Sequence, residues 1–554
     1  MTGAPVLALL VTVLFAAVAA RAEEPVPSPF REDRIFAESI AAAEALGIPP
    51  RPVTGLTVPH HLVAADLIAR AFLLARDNRY DRVVVLTPDH FKRARRPFAT
   101  TRRPFDTVYG RVPTDVAAVD ALLADPALVE ESGLFAREHG ITALLPYVAR
   151  FFPGTPVVPV AVAIGSSRAE WDAMAEALAP LVTERTLLLQ STDFSHYLTL
   201  PEAILRDQET LNVIAAHDLD AVAKLRQPQH LDSRGSQYLQ MRLQAEHFGA
   251  RPVVIANSNM ELYLGHAVEE TTSYIVQAYL PPEARTDFAG YVDGERLCFA
   301  GDTFFGRHLA PILSRPDIRE RLVAEIGDVL GGCPLVLNLE GVMLPELPTG
   351  IGDVQLAMPE DLTLDWLKRL GVVAVSIANN HSTDFGPGPR AAMKARLEAA
   401  GIAVLDGPEA RDLGPLRAFA LTDLDNAAGS GQEAETILDA VTRSDAAPPV
   451  AAFIHWGMEY SRIPDEREDY LADVLRRAAV SLIVGAHPHV AGDGLRALAG
   501  GTALLAYSLG NFLFDQPGRR VSGAVLELRF FPQGTFFARQ VPIPNFYDRA
   551  LRMR

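Results

Sequence analysis

The chain has 554 residues, too many for one hydrophobic core at about 100–200 residues per domain, so two to four domains are expected. Apolar residues make up 49% and charged residues 21%, which excludes a disordered chain. The net charge of −17 argues against a nucleic-acid partner, because binding phosphates needs an excess of Lys and Arg.

The first residues, MTGAPVLALLVTVLFAAVAARA, carry an apolar stretch from Pro5 to Ala20 and end in Ala20-Arg21-Ala22, a small-x-small cleavage pattern. The stretch is short for a bilayer span of about 20 residues. Residues 1–22 are therefore read as a signal peptide, the protein as exported, and no membrane span is expected after cleavage. No cysteine stands near the cleavage site, which argues against a lipoprotein. Next come the helical run VAADLIARAFLLARDN, the strand-like RVVVLTPDH and TPVVPVAVAIG, the helical WDAMAEALAPLVTE and the strand-like RTLLLQSTDFSH. LPPEARTDFAGYVDGE, residues 280 to 295, is rich in Pro, Gly and charge, and divides the chain into domains at 23–284 and 285–554. Beyond it PLVLNLEG, VVAVSIANNH, VAAFIHWG, SLIVGAHPHV and ALLAYSLGNF read as strands, with the helix PRAAMKARLEAAG among them. DLDNAAGSGQEAETILDAVTRSDAAPP reads as an insertion with one short helix. Continuous Val/Ile/Leu strands alternating with amphipathic helices predict an α/β protein whose sheets are covered on both faces. In such sheets polar chemistry collects at the carboxyl ends of strands. Cys298 and Cys333 sit in apolar runs and are expected as buried free thiols, with a single disulfide as the alternative.

In the second half, five strand ends finish in metal-capable side chains. FAGDT supplies Asp302, VLNLEG supplies Asn338 and Glu340, and SIANNHSTDFG supplies Asn379, Asn380, His381 and Asp384. FIHWG supplies His455, and GAHPHV supplies His487 and His489. Imidazole, carboxylate and amide oxygen form a mixed set suited to Mn, Zn or Fe. Gathering them without an ion would leave buried polar groups unpaired, at about 1–3 kcal/mol each. The run GD, NLEG, NNH, HWG, GAHPHV, SLGNF resembles the calcineurin-like metallophosphoesterases, and more closely the CapA branch of poly-γ-glutamate capsule biosynthesis proteins. That resemblance implies a four-layer α/β/β/α domain. In it Asp302 and His489 hold one divalent metal, Glu340 bridges, and Asn380, His455 and His487 complete a second site. His381 takes the place of the family's non-ligand histidine, and with Asp384 is a candidate catalytic residue. The pattern departs at Asp302-Thr303-Phe304, where Asp-x-His is usual, and at Glu340, where Asp is usual.

In the first half GLTVPHHLVAAD, VVVLTPDHFK, AREHGITALLPY and LLQSTDFSHY bring forward His60, His61, Asp89, His90, Glu138, His139, Asp193 and His196. These motifs resemble the Memo family, whose fold is similar to the class III extradiol dioxygenases, and look closest to protein B of the AmmeMemoRadiSam system. The resemblance implies a cleft of His60, His90 and His196 with Glu138, His139 and Asp193 beside them, able to hold one Fe or Zn. Some Memo proteins place a cysteine in the segment that reads ANSNMELYLGH here, which offers only Ser258 and Asn259. The alternative is a hydrogen-bonded cleft that binds a small anion or peptide, with His139 and His196 as satisfied core histidines. Neither a P-loop nor a G-x-S-x-G elbow is present. Taken together, the resemblances imply an exported metal-dependent hydrolase acting on a phosphorylated or γ-glutamyl compound of the cell envelope, small molecule or polymer. A non-catalytic envelope assembly protein is the alternative, and no oligomeric state follows from the sequence.

Overall fold

Runs that are apolar on both faces can only lie in the middle of a covered sheet. Four of them, Gly55–Val58, Thr186–Ser191, Arg82–Pro88 and Val157–Val162, pair side by side in that order and all in parallel. Val83 and Val85 point to one face, where they pack with Phe72 and Tyr147. Val84 and Leu86 point to the other and meet Trp171, Met174 and Tyr238. The period-two alternation of a strand thus feeds two cores. A buried Val, Leu or Phe contributes about 1.5–3 kcal/mol, against about 0.5–1.5 kcal/mol net for a hydrogen bond. Packing therefore fixes the strand order, and polar side chains are left to the strand ends. Thr271–Leu280 and Arg251–Asn259 extend this sheet antiparallel at one edge.

The computed structural model describes residues 24–282, 292–352, 354–424, 449–516 and 521–554. The signal-peptide reading, the middle of the 280–295 stretch and most of the 423–449 insertion fall outside the described residues. Among the described residues the second half builds one two-stranded ribbon and two large sheets. In one, Ala403–Leu405, Val372–Ser376, Leu335–Leu339 and Glu295–Thr303 run parallel, followed by the antiparallel Gly523–Phe530 and Phe536–Ile543. In the other, Arg417–Thr422, Val450–His455, Leu482–Ala486 and Ala503–Ala506 run parallel. The sheets face each other through Phe299, Val336, Leu526, Phe453, Val484 and Leu504. Helices Pro316–Leu330, Glu360–Arg369 and Pro387–Ala399 cover the outside of the first sheet, burying Leu322, Trp366 and Met393. Helix Glu466–Arg477 covers the second. That helix is polar except for one stripe containing Leu471 and Leu475, and it starts at a capping box of Asp465 and Glu468. The layer order is α/β/β/α.

One expectation is corrected. Cys298 and Cys333 are paired in a disulfide, with Cα atoms 5.9 Å apart, rather than free. Glu295–Thr303 lies in register beside Leu335–Leu339, and the Cys298 N–H donates to the Pro334 carbonyl at 2.9 Å. The thiols meet because their strands are neighbours, which spacing along the chain does not reveal.

The two halves also meet. Phe531 and Phe537, flanking the turn between the last two strands, are buried in the same core as Val254 and Ile275 of the first half. Around them the Gln533 amide donates to Asp207 Oδ2 at 3.0 Å, Thr535 Oγ1 donates to Asn257 Oδ1 at 2.6 Å, and Asn212 Nδ2 donates to the Gly501 carbonyl at 2.7 Å.

Candidate metal centres

In the second half, the carboxyl ends of both sheets deliver the polar residues to one place. Glu295–Thr303 ends with Asp302, Leu335–Leu339 leads to Glu340, Val450–His455 ends with His455, and Leu482–Ala486 leads to His487 and His489. Asp302, Glu340 and His489, all buried, offer one ligand atom each within 4.8 Å of one another. His487 and His489 take φ values of 96° and 57°, a left-handed region that costs a non-glycine residue about 1–3 kcal/mol. The turn is held there because the His487 N–H donates to both Asp302 oxygens at 3.2 Å. Asn338 Nδ2 donates to Asp302 Oδ1 at 2.9 Å, and Asn511 Oδ1 accepts from His489 Nδ1 at 2.8 Å. His455 Nε2 lies 2.9 Å from Asn380 Oδ1, and its ring lies 4.8 Å from that of His487. Beside the cage His381 Nδ1 donates to Asp384 Oδ2 at 3.0 Å, and its Nε2 lies 3.8 Å from Glu340. Asp384 in turn accepts from the Leu356 N–H at 2.7 Å, which fixes it.

Burial works against charge on Asp302, but the His489 hydrogen bond and its charge win and hold the carboxyl at about 2. His489 is disfavoured as a cation by burial, yet its bond to Asp302 and the Glu340 charge raise it to about 9. Glu340 is pushed well above the usual carboxylate range, first by burial and then by Asp302. Among the described residues Glu340 Oε2 and His487 Nδ1 are buried without a hydrogen-bond partner. Unpaired buried acceptors in a ring of carboxylate and imidazole fit a divalent cation.

The first half repeats the plan. Val58 leads to His60, Pro88 to Asp89 and His90, and Ser191 to Asp193, all at the carboxyl edge of the parallel strands. His60 Nδ1 lies 3.0 Å from Ser191 Oγ, whose hydroxyl donates to the Gly140 carbonyl, so Nδ1 carries the proton and Nε2 is left free. His90 Nδ1 donates to Glu138 Oε1 at 2.6 Å and likewise frees Nε2. His60 Nε2 stands 3.4 Å from Asp193 Oδ2 and 3.4 Å from Asp232 Oδ2, and His90 Nε2 stands 3.6 Å from Asp232 Oδ2. Bonds of about 2.1 Å at tetrahedral angles put neighbouring donors roughly 3.4 Å apart, so this spacing fits one ion. His90 Nε2 and Asp232 Oδ1 lack hydrogen-bond partners among the described residues. Burial opposes protonation of His90, but Asp232 and Glu138 raise it to about 10; burial and the facing His90 and His60 lower His139 to about 4.

Several expectations change in detail. Asp232, in the loop before helix Arg234–Phe248, was not singled out in the sequence and faces both free imidazole nitrogens. Glu138 is an orienting group: it accepts from His90 Nδ1, from the His90 N–H at 3.0 Å and from the Gly140 N–H at 2.9 Å. His139 is exposed and stacked 4.1 Å from the His90 ring, not a core histidine. His196 stays outside the donor groups, with Nδ1 tied to the Phe194 carbonyl. Asn259 turns away to donate to Gln533 at 2.8 Å.

Each of the two α/β units thus carries a cluster of His and carboxylate groups that could hold a metal ion, at the carboxyl edge of its parallel strands. Residues 43–258 match the family model of Memo-like protein, and residues 296–407 and 407–516 match that of bacterial capsule synthesis protein PGA_cap. The chain joins a Memo-like segment to a PGA_cap segment of the CapA type. It is 28% identical over 282 residues to the capsule biosynthesis protein CapA of Bacillus anthracis, covering 45% of this chain and 66% of that one. It is 28% identical over 170 residues to a MEMO1 family protein of Thermotoga maritima, covering 30% of this chain and 61% of that one. The chain thus spans less than two thirds of either relative. A 5'-nucleotidase precursor from Thermus thermophilus overlays on 47% of this chain and 58% of its own, at 14% identity and a TM-score of 0.29.

Proposed function

We propose that the chain is an exported, metal-dependent hydrolase of the cell envelope whose reaction centre is the cage in its second half. The observation that carries this reading is the meeting of Asp302, Glu340 and His489 within 4.8 Å, with one Glu340 oxygen left without a partner. Asp302, His489 and Glu340 would hold one divalent ion, Mn, Zn or Fe, and Asn380, His455 and His487, beside Glu340, would hold a second. Ions bound there offset charge developing on a phosphoryl or carbonyl oxygen and lower the pKa of water towards neutrality. Asn338 fixes the rotamer of Asp302, and Asn511 orients the His489 ring through Nδ1, which also lies 3.2 Å from Asp302 Oδ2. His381, aligned by Asp384, carries a proton to the leaving group. In the first half His60, together with His90 and His139 or with Asp193 and Asp232, would hold one Fe or Zn. The proposed substrate is a phosphoester or γ-glutamyl compound of the envelope, small molecule or polymer; the name of the Bacillus anthracis relative, a capsule biosynthesis protein, supports its place in the envelope. The leader-like residues 1–22 and the Cys298–Cys333 disulfide support export, since disulfides persist in oxidising compartments.

One observation favours the assembly-protein reading. Phe304 stands where Asp-x-His would supply a nitrogen, and it packs 5.6 Å from Phe514 instead. Hydrolysis of a chromogenic phosphodiester by the full chain with added Mn separates the readings. The hydrolase reading predicts turnover that falls about 10²–10⁴-fold in His381→Ala, with bound metal unchanged. No turnover by the full chain with metal bound would favour assembly.

A further inference from the structure

Next to the first-half cleft, the chain reads Lys92-Arg93-Ala94-Arg95-Arg96, four cations in five positions of a protein with net charge −17. All four are exposed, and none has a side-chain hydrogen bond or ion pair among the described residues. Arg102, a few positions on, shows the usual arrangement, with ion pairs to Asp120 and Glu131. The nearby carboxylates are taken up otherwise. Asp89 Oδ2 accepts from the Ala94 N–H at 2.7 Å, Glu130 Oε1 from the Arg95 N–H at 2.8 Å, and Glu170 Oε2 from the Ser167 N–H at 2.6 Å. The first two bonds hold the backbone of the loop and the third caps helix Arg168–Leu178, so none of them engages the cationic heads. Lys92, Arg95 and Arg96 line an open hollow of about 520 Å³, with Asp89 and Glu170 in its wall. Asp89 is 1% exposed and adjoins His90 of the donor group, and its Oδ1 has no partner among the described residues.

We propose that this hollow is an anion subsite, which seats a carboxylate or phosphate group of a ligand. The cations supply the charge-assisted contacts that anions select, and the free Asp89 oxygen favours a ligand that also carries a hydrogen-bond donor. The subsite goes beyond the hydrolase reading and stands apart from it, because it is read by binding rather than by turnover.

The test uses the full chain and calorimetric titration with inorganic phosphate and, separately, with glutarate. Wild type is expected to bind at least one of them, more weakly as salt rises. The triple variant Lys92→Ala/Arg95→Ala/Arg96→Ala is expected to bind about tenfold more weakly or worse, the loss of one or two charge-assisted contacts. His489→Ala, a change in the distant cage, should leave this binding intact. Preference for phosphate or for glutarate identifies the anionic group. Binding of neither, binding unchanged in the triple variant, or binding lost only in His489→Ala would overturn the subsite. None of these results touches the turnover test above.

Discussion

In the metal-free cage His489, raised to about 9, holds an extra proton at neutral pH that a cation must displace, and burial and Asp302 push Glu340 towards its neutral form. Metal affinity should therefore climb with pH towards about 9, the value to which Asp302 and Glu340 raise His489. Titration at neutral pH in two buffers of different ionisation enthalpy should report release of about one proton per ion; no release would contradict the charge state of His489. The same shift has a consequence for stability. Because His489 is raised from 6.5, its pairing stabilises the metal-free fold fully below about 6.5, and this contribution disappears as pH rises through about 9. At this scale the sequence was legible wherever a polar residue directly follows an apolar run, as with Asp302, Glu340, His455 and His60. It was silent on Asp232, which approaches from a loop, and on Asn511, which opens the short strand Asn511–Leu513 beside Asp302. Asp232 precedes an N-cap serine in HLDSRGS, a setting that reads as a helix start and nothing more.

Strands bring the ligands together, and one glycine decides whether they can. A Cβ on Gly485 would collide with the Tyr507 carbonyl and the Trp456 ring nitrogen, so the strand leading to His487 can lie against its neighbours only without a side chain. Gly485→Ala should lower stability by about 1–3 kcal/mol or more and weaken metal binding with it. Thermal melts with and without Mn check this, and a variant that melts and binds like wild type would contradict it. The alternation of Val/Ile/Leu runs with amphipathic helices made the parallel strands visible in the sequence. Which strands neighbour each other was not visible, and for that reason the Cys298–Cys333 pair was read as free thiols.

The two halves share a core, and neither sequence motifs nor composition announced it. Phe531 and Phe537 reach from the second half into the core of the first, and Asp207 lies at the centre of the surrounding polar contacts. Burial raises Asp207, while its bonds to Asn257, Ser195, Ser273 and Gln533 act in the opposite direction. Ser195 adjoins His196 and Ser273 lies on the last strand of the first sheet, so the second half braces the rim of the first cleft. Calorimetry should record a single cooperative transition for the whole chain. Phe537→Ala should remove about 3–5 kcal/mol and split the transition in two; two separate transitions in wild type would contradict a shared core.

The convergence of distant strand ends on a cation is tested most directly by diffraction from crystals of the full chain grown with Mn, Fe or Zn, recorded at the absorption edge of the metal. An anomalous peak enclosed by Asp302, Glu340 and His489 is the predicted result. An ordered cage with no peak there, under conditions in which the metal binds elsewhere on the protein, would contradict it.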